Sequence, residues 1–152
     1  MTSATIDTDA RRHWMGVLAK SSPARLAQLW TDLDGLPGWS HLRRPEVGLV
    51  MVRGRMGGDG GPFNMGEMTV TRCSVRVDGG AVGHAWVAGR SSTHAEMAAL
   101  ADALLQMPGW HQVVADAVVA PLARQLAEDR ARAGRQAAAT RVDFFTMVRG
   151  ED

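Results

Sequence analysis

A change of hydrophobic period in the middle of the chain constrains its fold most. Between Trp39 and Arg90 the helical spacing of apolar residues gives way to runs rich in Val and Thr that are separated by glycines, a pattern typical of β-strands. It predicts strands over residues 46–56, 68–77 and 81–89, and an additional edge strand over 41–44. Asp78-Gly79-Gly80 lies between the last two strands and predicts a tight hairpin turn, because glycine tolerates the positive φ that such turns require. The region is therefore predicted to be an antiparallel meander of three to four strands.

Two helices are predicted before this sheet. The first covers residues 8–20, where apolar side chains recur at helical spacing and Asp7 or Thr8 can cap the free amides of the first turn. The pair Ser22-Pro23 is a strong start signal for a second helix, which ends near Gly35.

Helical patterns return after the sheet. Thr93 and Glu96 have the spacing of a capping box, in which each side chain caps the other's backbone amide. That helix stops at Pro108, and another follows in which Pro121 either kinks the helix or starts a new one. Its apolar residues stand four apart, at Val114, Val118, Leu122 and Leu126. Together with the meander, these helices predict a single α+β domain over residues 1–152.

The last part of the chain has few large apolar residues until its end. Residues 127–140 predict a helix with little to bury, which projects into solvent or lies along another chain. Residues 141–150 predict a final strand that is apolar in both alternating phases. One face is expected to pack on this chain and the other on a partner, with burial inside the monomer as the alternative. The interface candidates are Phe144, Phe145, Met147 and Val148.

Composition and charge limit the surroundings of the protein. Seventeen basic and sixteen acidic residues give a net charge of +1, so no overall field attracts nucleic acid or an anionic membrane. A single cysteine, Cys73, cannot form an internal disulfide, which indicates a reducing compartment. The N-terminus lacks signal-peptide features, and the longest apolar stretch is interrupted by Asp116 and Pro121. We expect a cytoplasmic protein without nucleic-acid or membrane partners; the basic tract around Arg130 leaves nucleic-acid binding as an alternative.

Three arginines are candidates for anion binding. Four glycines within residues 55–63 let backbone amides converge on an anion, but the Gly-Lys-Ser/Thr ending of a P-loop is missing. The loop therefore predicts a flexible hairpin connection, with a phosphate or phosphonate contact through Arg55 and Arg72, and with Arg53 nearby, left open. Arg90, which precedes a helix N-terminus, is the third candidate, and a simple salt bridge is its alternative.

One histidine motif defines a second candidate function. His94-Ala95-Glu96 matches the H-x-E half of the zinc deaminase signature, but the required downstream P-C-x-x-C is missing. His84 can join His94 and Glu96 as a metal site with two histidines and one carboxylate. This set predicts a small stand-alone metal-dependent hydrolase or transferase as the alternative function. In the main interpretation His94 and Glu96 are instead candidates for contact with an anionic substrate, and no metal site or catalytic residue is assigned. Trp86 is interpreted as a core residue, with a stacking platform as the alternative.

Six blocks, in order and spread over nearly the whole chain, carry a resemblance to a known family. They are Arg12-His13-Trp14-Met15 with Val17-Leu18-Ala19, Arg55-Met56-Gly57-Gly58, Thr69-Val70-Thr71-Arg72, Trp86-Val87-Ala88-Gly89-Arg90, His94-Ala95-Glu96 and the terminal RVDFFTMVRG of residues 141–150. With these blocks the chain resembles the PhnG family, the G subunits of bacterial carbon–phosphorus lyase.

The resemblance implies a role in phosphonate breakdown within a complex. PhnG subunits assemble with PhnH, PhnI and PhnJ, and PhnL is associated with them. The complex transfers an alkylphosphonate to the ribose C1 of ATP and releases adenine. The resemblance implies an iron–sulfur cluster and S-adenosylmethionine on PhnJ, and no cofactor on this chain, whose single cysteine cannot hold a cluster. An obligate subunit of this kind is expected to be poorly soluble or to self-associate when isolated.

Overall fold

Helices cover one face of a three-stranded antiparallel sheet in this protein. A computed structural model describes residues 7–141 of the chain. The elements are α1 (Thr8–Lys20), α2 (Pro23–Trp30), β1 (Trp39–Arg55), β2 (Pro62–Val77), β3 (Val82–Ala88), α3 (Ser92–Leu105), α4 (Pro108–Val114), a π-helical turn (Ala115–Val119) and α5 (Ala120–Ala139). The strand order is β1-β2-β3, which confirms the predicted α+β class and the meander.

Helix α3 is the centre of the hydrophobic core. Ten of its fourteen residues are buried, and it contacts β2 and β3 as well as α1, α2 and α4. A helix that is covered on nearly all sides can be apolar all round. The strand residues that face it alternate with exposed ones, and they include Cys73, Val75, Val77, Ala85 and Val87.

Small residues bring α3 close to β3. A Cβ atom added to Gly83 would overlap the carbonyl oxygen of Ala99 and the amide nitrogen of Ala103. Glycine therefore sets the distance between strand and helix here, since no side chain fits between the two backbones.

A buried carboxylate ties this core to the first helix. Asp102 on α3 has no exposed surface, and its oxygens accept hydrogen bonds from Arg11 Nε at 3.1 Å and Arg11 Nη2 at 2.8 Å. The indole Nε1 of Trp14 donates to it at 2.9 Å, and so does the backbone amide of His84 at 2.9 Å. One side chain thus joins α1, α3 and β3, and its charge is balanced by the guanidinium.

Strand β1 is continuous, whereas the sequence predicts two strands over 41–44 and 46–56. The predicted division is wrong because register shifts between His41 and Glu46 accommodate Pro45 while pairing with β2 continues on both sides. Proline is tolerated there because β1 is an edge strand of the sheet.

Strand β2 begins at Pro62, six residues before the predicted start at Met68. Residues 62–68 are exposed, so they carry no alternation of buried and exposed positions that a sequence pattern could reveal. Pairing with β1 alone holds them in the sheet. The predicted turn Asp78-Gly79-Gly80 is confirmed, with φ of 104° at Gly79 and 97° at Gly80.

The start of α3 differs from the predicted capping box. Ser91 is the N-cap, and its hydroxyl accepts a hydrogen bond from the backbone amide of His94 at 3.2 Å. The assignment of Thr93 and Glu96 as a capping box is wrong, because the Glu96 carboxylate contacts His41 Nε2 at 2.7 Å instead.

The remaining helices also refine the sequence predictions. Helix α2 ends at Trp30, and Gly35, with φ of 68°, lies in the connection that follows. Helical backbone continues without a break from α4 through the π-helical turn into α5, because the residues at both junctions have right-handed helical φ and ψ. Pro121 therefore lies inside one helical segment next to a π-bulge and does not start a new helix. Residues 127–139 of α5 are exposed. The predicted interface residues Phe144, Phe145, Met147 and Val148 lie outside the described residues.

Replacement of Asp102 by alanine is expected to lower the free energy of unfolding by about 3 kcal/mol, because it leaves the Arg11 charge, the buried Trp14 indole N–H and the His84 amide without their acceptor. Urea denaturation measures this change. Asp129→Ala is the control, since Asp129 pairs with Arg132 on the exposed surface and such pairs contribute less than about 1 kcal/mol. Equal effects of the two substitutions would contradict the assignment.

Gly83→Ala is expected to destabilise the protein by about 1–3 kcal/mol, because its methyl group overlaps backbone atoms that cannot rotate away. Gly48→Ala is the matched control: Gly48 also lies in a strand, and a Cβ there would meet nothing within 4 Å. Thermal unfolding of both variants tests the difference, and a Gly83→Ala variant as stable as Gly48→Ala would show that α3 can move.

Candidate interaction surface

The β1–β2 hairpin extends beyond the helical body. Strand β3 pairs with β2 only over residues 70–76, so residues 47–69, here called the hairpin arm, form a two-stranded ribbon. No residue of β1 is buried. The exposed large apolar residues of the arm, between 42% and 74% accessible, are Val47, Leu49, Met51, Met56, Phe63, Met65 and Met68.

Both faces of the arm carry apolar side chains. Val47, Leu49 and Met51 alternate along β1 and point to one face, because successive strand residues point to opposite sides. Val50 and Met68 are direct partners across the ribbon and share the other face. That second face continues into the outer face of the sheet, opposite α3.

A tryptophan and an arginine lie side by side on this outer face. Trp86 of β3 is the register partner of Arg72 of β2, and the guanidinium carbon lies 5.5 Å from the ring centroid. Such a cation–π contact stabilises both side chains. The interpretation of Trp86 as a core residue is wrong: 51% of its surface is accessible, because the helices cover only the opposite face of the sheet.

A carboxylate fixes Arg72 in this position. Glu46 Oε2 accepts hydrogen bonds from Arg43 Nη1 at 2.8 Å and from Arg72 Nε at 3.1 Å. The hydrogen bond from Arg43 and the charge of Arg72 hold the pKa of Glu46 below its ordinary value. Glu46 therefore stays ionised and orients Arg72 over Trp86. Aromatic side chains and arginine are enriched at the centres of protein–protein interfaces, so the cluster fits a binding surface.

The structure separates Arg55 and Arg72, for which a shared anion contact was left open. Arg55 lies at the end of the arm and donates to the carbonyl oxygen of Gly60 at 3.1 Å. Arg72 lies opposite Glu46. Glu46 precedes Arg55 by nine residues in β1, which places the two arginines about 30 Å apart along the strand. Arg90 is exposed in the turn before α3.

The predicted metal ligands have three different partners. His84 Nδ1 lies 2.9 Å from Ser74 Oγ, and buried His94 has its Nε2 2.8 Å from the carbonyl oxygen of Leu18. Glu96 contacts His41, a residue 55 positions away that no local motif indicates. Within residues 7–141 no group of three or more His, Cys, Asp or Glu side chains could hold a metal ion. The hydrolase alternative based on His84, His94 and Glu96 is therefore unsupported.

The single cysteine is buried in β2. Cys73 is 1% exposed, and its Sγ lies 3.4 Å from the carbonyl oxygen of Arg43. Burial, followed by the charge of Glu96, raises the pKa of Cys73 to about 11. The neutral thiol is favoured in the folded protein, and a thiol in this state is a weak nucleophile.

This pKa makes alkaline stability depend on Cys73. The unfolded chain ionises the thiol near pH 9, whereas the folded chain does so near pH 11. The free energy of unfolding is therefore expected to fall by about 2–3 kcal/mol as the pH rises between these values. The chain has no tyrosine and one lysine, Lys20, so few other groups titrate there. Urea denaturation at several pH values measures this decrease. Most of it should be absent in Cys73→Ala, and a decrease as large as that of the wild-type chain would contradict the assignment.

No helix in the described part of the chain, residues 7–141, is long and apolar enough to cross a membrane.

The fold and its bare surfaces define an α+β domain with an exposed ribbon and a tryptophan–arginine face suited to contact with other polypeptides. The family model described as phosphonate metabolism protein PhnG matches residues 9–150, and the chain belongs to this family. The chain is 46% identical over 157 residues to the alpha-D-ribose 1-methylphosphonate 5-triphosphate synthase subunit PhnG of Rhizobium meliloti (strain 1021). The alignment covers 100% of this chain and 99% of that relative. The family resemblance predicted from the six sequence blocks is thereby confirmed.

Proposed function

We propose that this chain is a subunit of a complex that makes ribose 1-methylphosphonate 5-triphosphate from ATP and methylphosphonate. The relationship to a synthase subunit over the full length of both chains carries this proposal. In the reaction, an oxygen of the phosphonate forms a bond to ribose C1, the bond from C1 to adenine N9 breaks, and adenine leaves with a proton. The product retains the triphosphate.

The proposed contribution of this chain is assembly of the complex. Its partners are PhnH, PhnI and PhnJ in the core, with PhnL associated, and the complex acts in the cytoplasm. Several polar side chains that a catalyst would need are engaged in holding the fold: Asp102, Glu46, Glu96 and His94 each have a close structural partner. Arg90, in contrast, is exposed and stays a candidate for contact with the anionic substrates.

No cofactor is proposed for this chain itself. ATP is a substrate of the complex, and the iron–sulfur cluster and S-adenosylmethionine belong to PhnJ, which carries out the later radical cleavage. The single cysteine of the sequence supports this division, because an iron–sulfur cluster is held by several thiolates.

Reconstitution with each component omitted tests the proposal. Purified PhnH, PhnI and PhnL are incubated with ATP and methylphosphonate, with and without this chain, and adenine release is followed by chromatography and the new phosphonate ester by phosphorus NMR. We expect product only when this chain is present together with the others. Product from this chain alone, or undiminished product in its absence, would overturn the proposal.

A further inference from the structure

The hairpin arm exposes many apolar side chains, and a two-stranded ribbon by itself has little to stabilise it. Isolated two-stranded hairpins are at best marginally stable in water, and from Val47 to Arg55 the arm extends for about 30 Å. Strand β3 ends opposite Val70, and the Gly89 amide that follows it donates to the Thr69 carbonyl oxygen at 2.9 Å. Beyond Thr69, within the described residues, neither outer edge of the arm pairs with another strand. Long unpaired edges next to apolar side chains normally require cover.

The distribution of apolar side chains indicates the shape of that cover. Leu49 and Met51, with 61% and 52% of their surfaces accessible, point to one face, and Met68, with 42%, points to the other. A flat partner surface would bury only one of these faces. A cleft that accepts the ribbon would bury both.

The charges of the arm and of its base differ. The arm carries Arg53 and Arg55 against Asp59 and Glu67, so its net charge is zero and an apolar cleft can accept it. On the adjoining outer face of the sheet, register places Arg43, Arg72 and Arg76 on the same side as Glu46, an excess of two positive charges.

This excess argues against a second copy of the chain as the occupant. A symmetric contact between two copies would bring identical surfaces together, and the two positive faces would repel each other. A partner with carboxylates at the corresponding positions would instead gain electrostatic complementarity.

We propose that the hairpin arm enters a cleft of a different polypeptide subunit of the synthase, with apolar walls on both faces of the ribbon and carboxylates at the mouth that face Arg43 and Arg76. This inference rests on the proposed function, since it requires that the chain is a subunit. Trp86, held by Arg72 at the base of the arm, is the aromatic anchor at the mouth of the cleft.

Co-expression of the full chain with PhnH, PhnI and PhnJ, with an affinity tag on PhnI, tests the cleft. Leu49→Glu changes one face of the arm and Met68→Glu the other, whereas Val113→Glu is the matched control on α4, where Val113 is 47% exposed. Each arm variant is expected to weaken association about 30-fold, the effect of losing a strong interface contact. Val113→Glu should bind as the wild type does. Circular dichroism and the melting temperature verify that all variants fold.

A charge reversal tests the mouth of the cleft. Association of the wild-type chain should weaken as salt increases, because screening reduces the attraction between Arg76 and carboxylates. Arg76→Glu should weaken association at low salt and remove this salt dependence. Association of Arg76→Glu with unchanged salt dependence would overturn the carboxylate assignment.

The outcomes separate the arm from the proposed function. Loss of binding in only one of the two arm variants would indicate a flat interface and overturn the cleft, as would equal loss in Val113→Glu. The isolated wild-type chain could also form a dimer. If an arm variant made that dimer monomeric and was still recovered with PhnI, a second copy of the chain would be the occupant of the arm's binding surface. Failure of the wild-type chain to be recovered with PhnI would contradict subunit membership itself, and the cleft with it.

Discussion

The buried carboxylate of Asp102 is the interaction on which the geometry of this protein depends. It accepts hydrogen bonds from Nε and Nη2 of Arg11, from the indole N–H of Trp14 and from the backbone amide of His84. These four hydrogen bonds offset the cost of removing a charge from water. The three elements that it joins differ in kind: a surface helix, the core helix and an edge strand. The contact at Gly83 then holds the sheet tightly on α3, which fixes the direction in which the arm leaves the body.

The same arrangement explains why one face of the sheet is bare. Helix α3 and its neighbours cover Cys73, Val75 and Val77, and no described element lies on the opposite face. Arg76, which lies between Val75 and Val77, is therefore exposed although it belongs to the central strand. The core ends near Val70, where β3 ends, and β1 and β2 continue beyond it with only each other as partners.

Local signals were readable from the sequence and long-range ones were not. The turn at Asp78, the N-cap at Ser22 and the limits of α1 follow from residues next to each other, and the structure agrees. Alternation along β3 predicts a strand but does not tell which face is covered, so Trp86 was assigned to the core. The contact of Glu96 with a histidine 55 positions away leaves no local pattern, and a capping box at the same residue was the reasonable but wrong alternative.

A paired ribbon is a more effective docking element than a loose loop of the same length. Its backbone groups along the inner edges are already hydrogen-bonded between β1 and β2, so enclosure in a partner leaves only the outer edges to be satisfied. The ribbon loses much of its conformational entropy when the chain folds, so it loses less when it binds a partner. The fixed contact of Arg72 with Glu46 acts in the same way at the base, because the guanidinium and the ring of Trp86 are oriented before a partner arrives. Pre-organisation of this kind converts exposed apolar area into affinity, and it explains why the chain maintains extended strands well beyond the end of its own core.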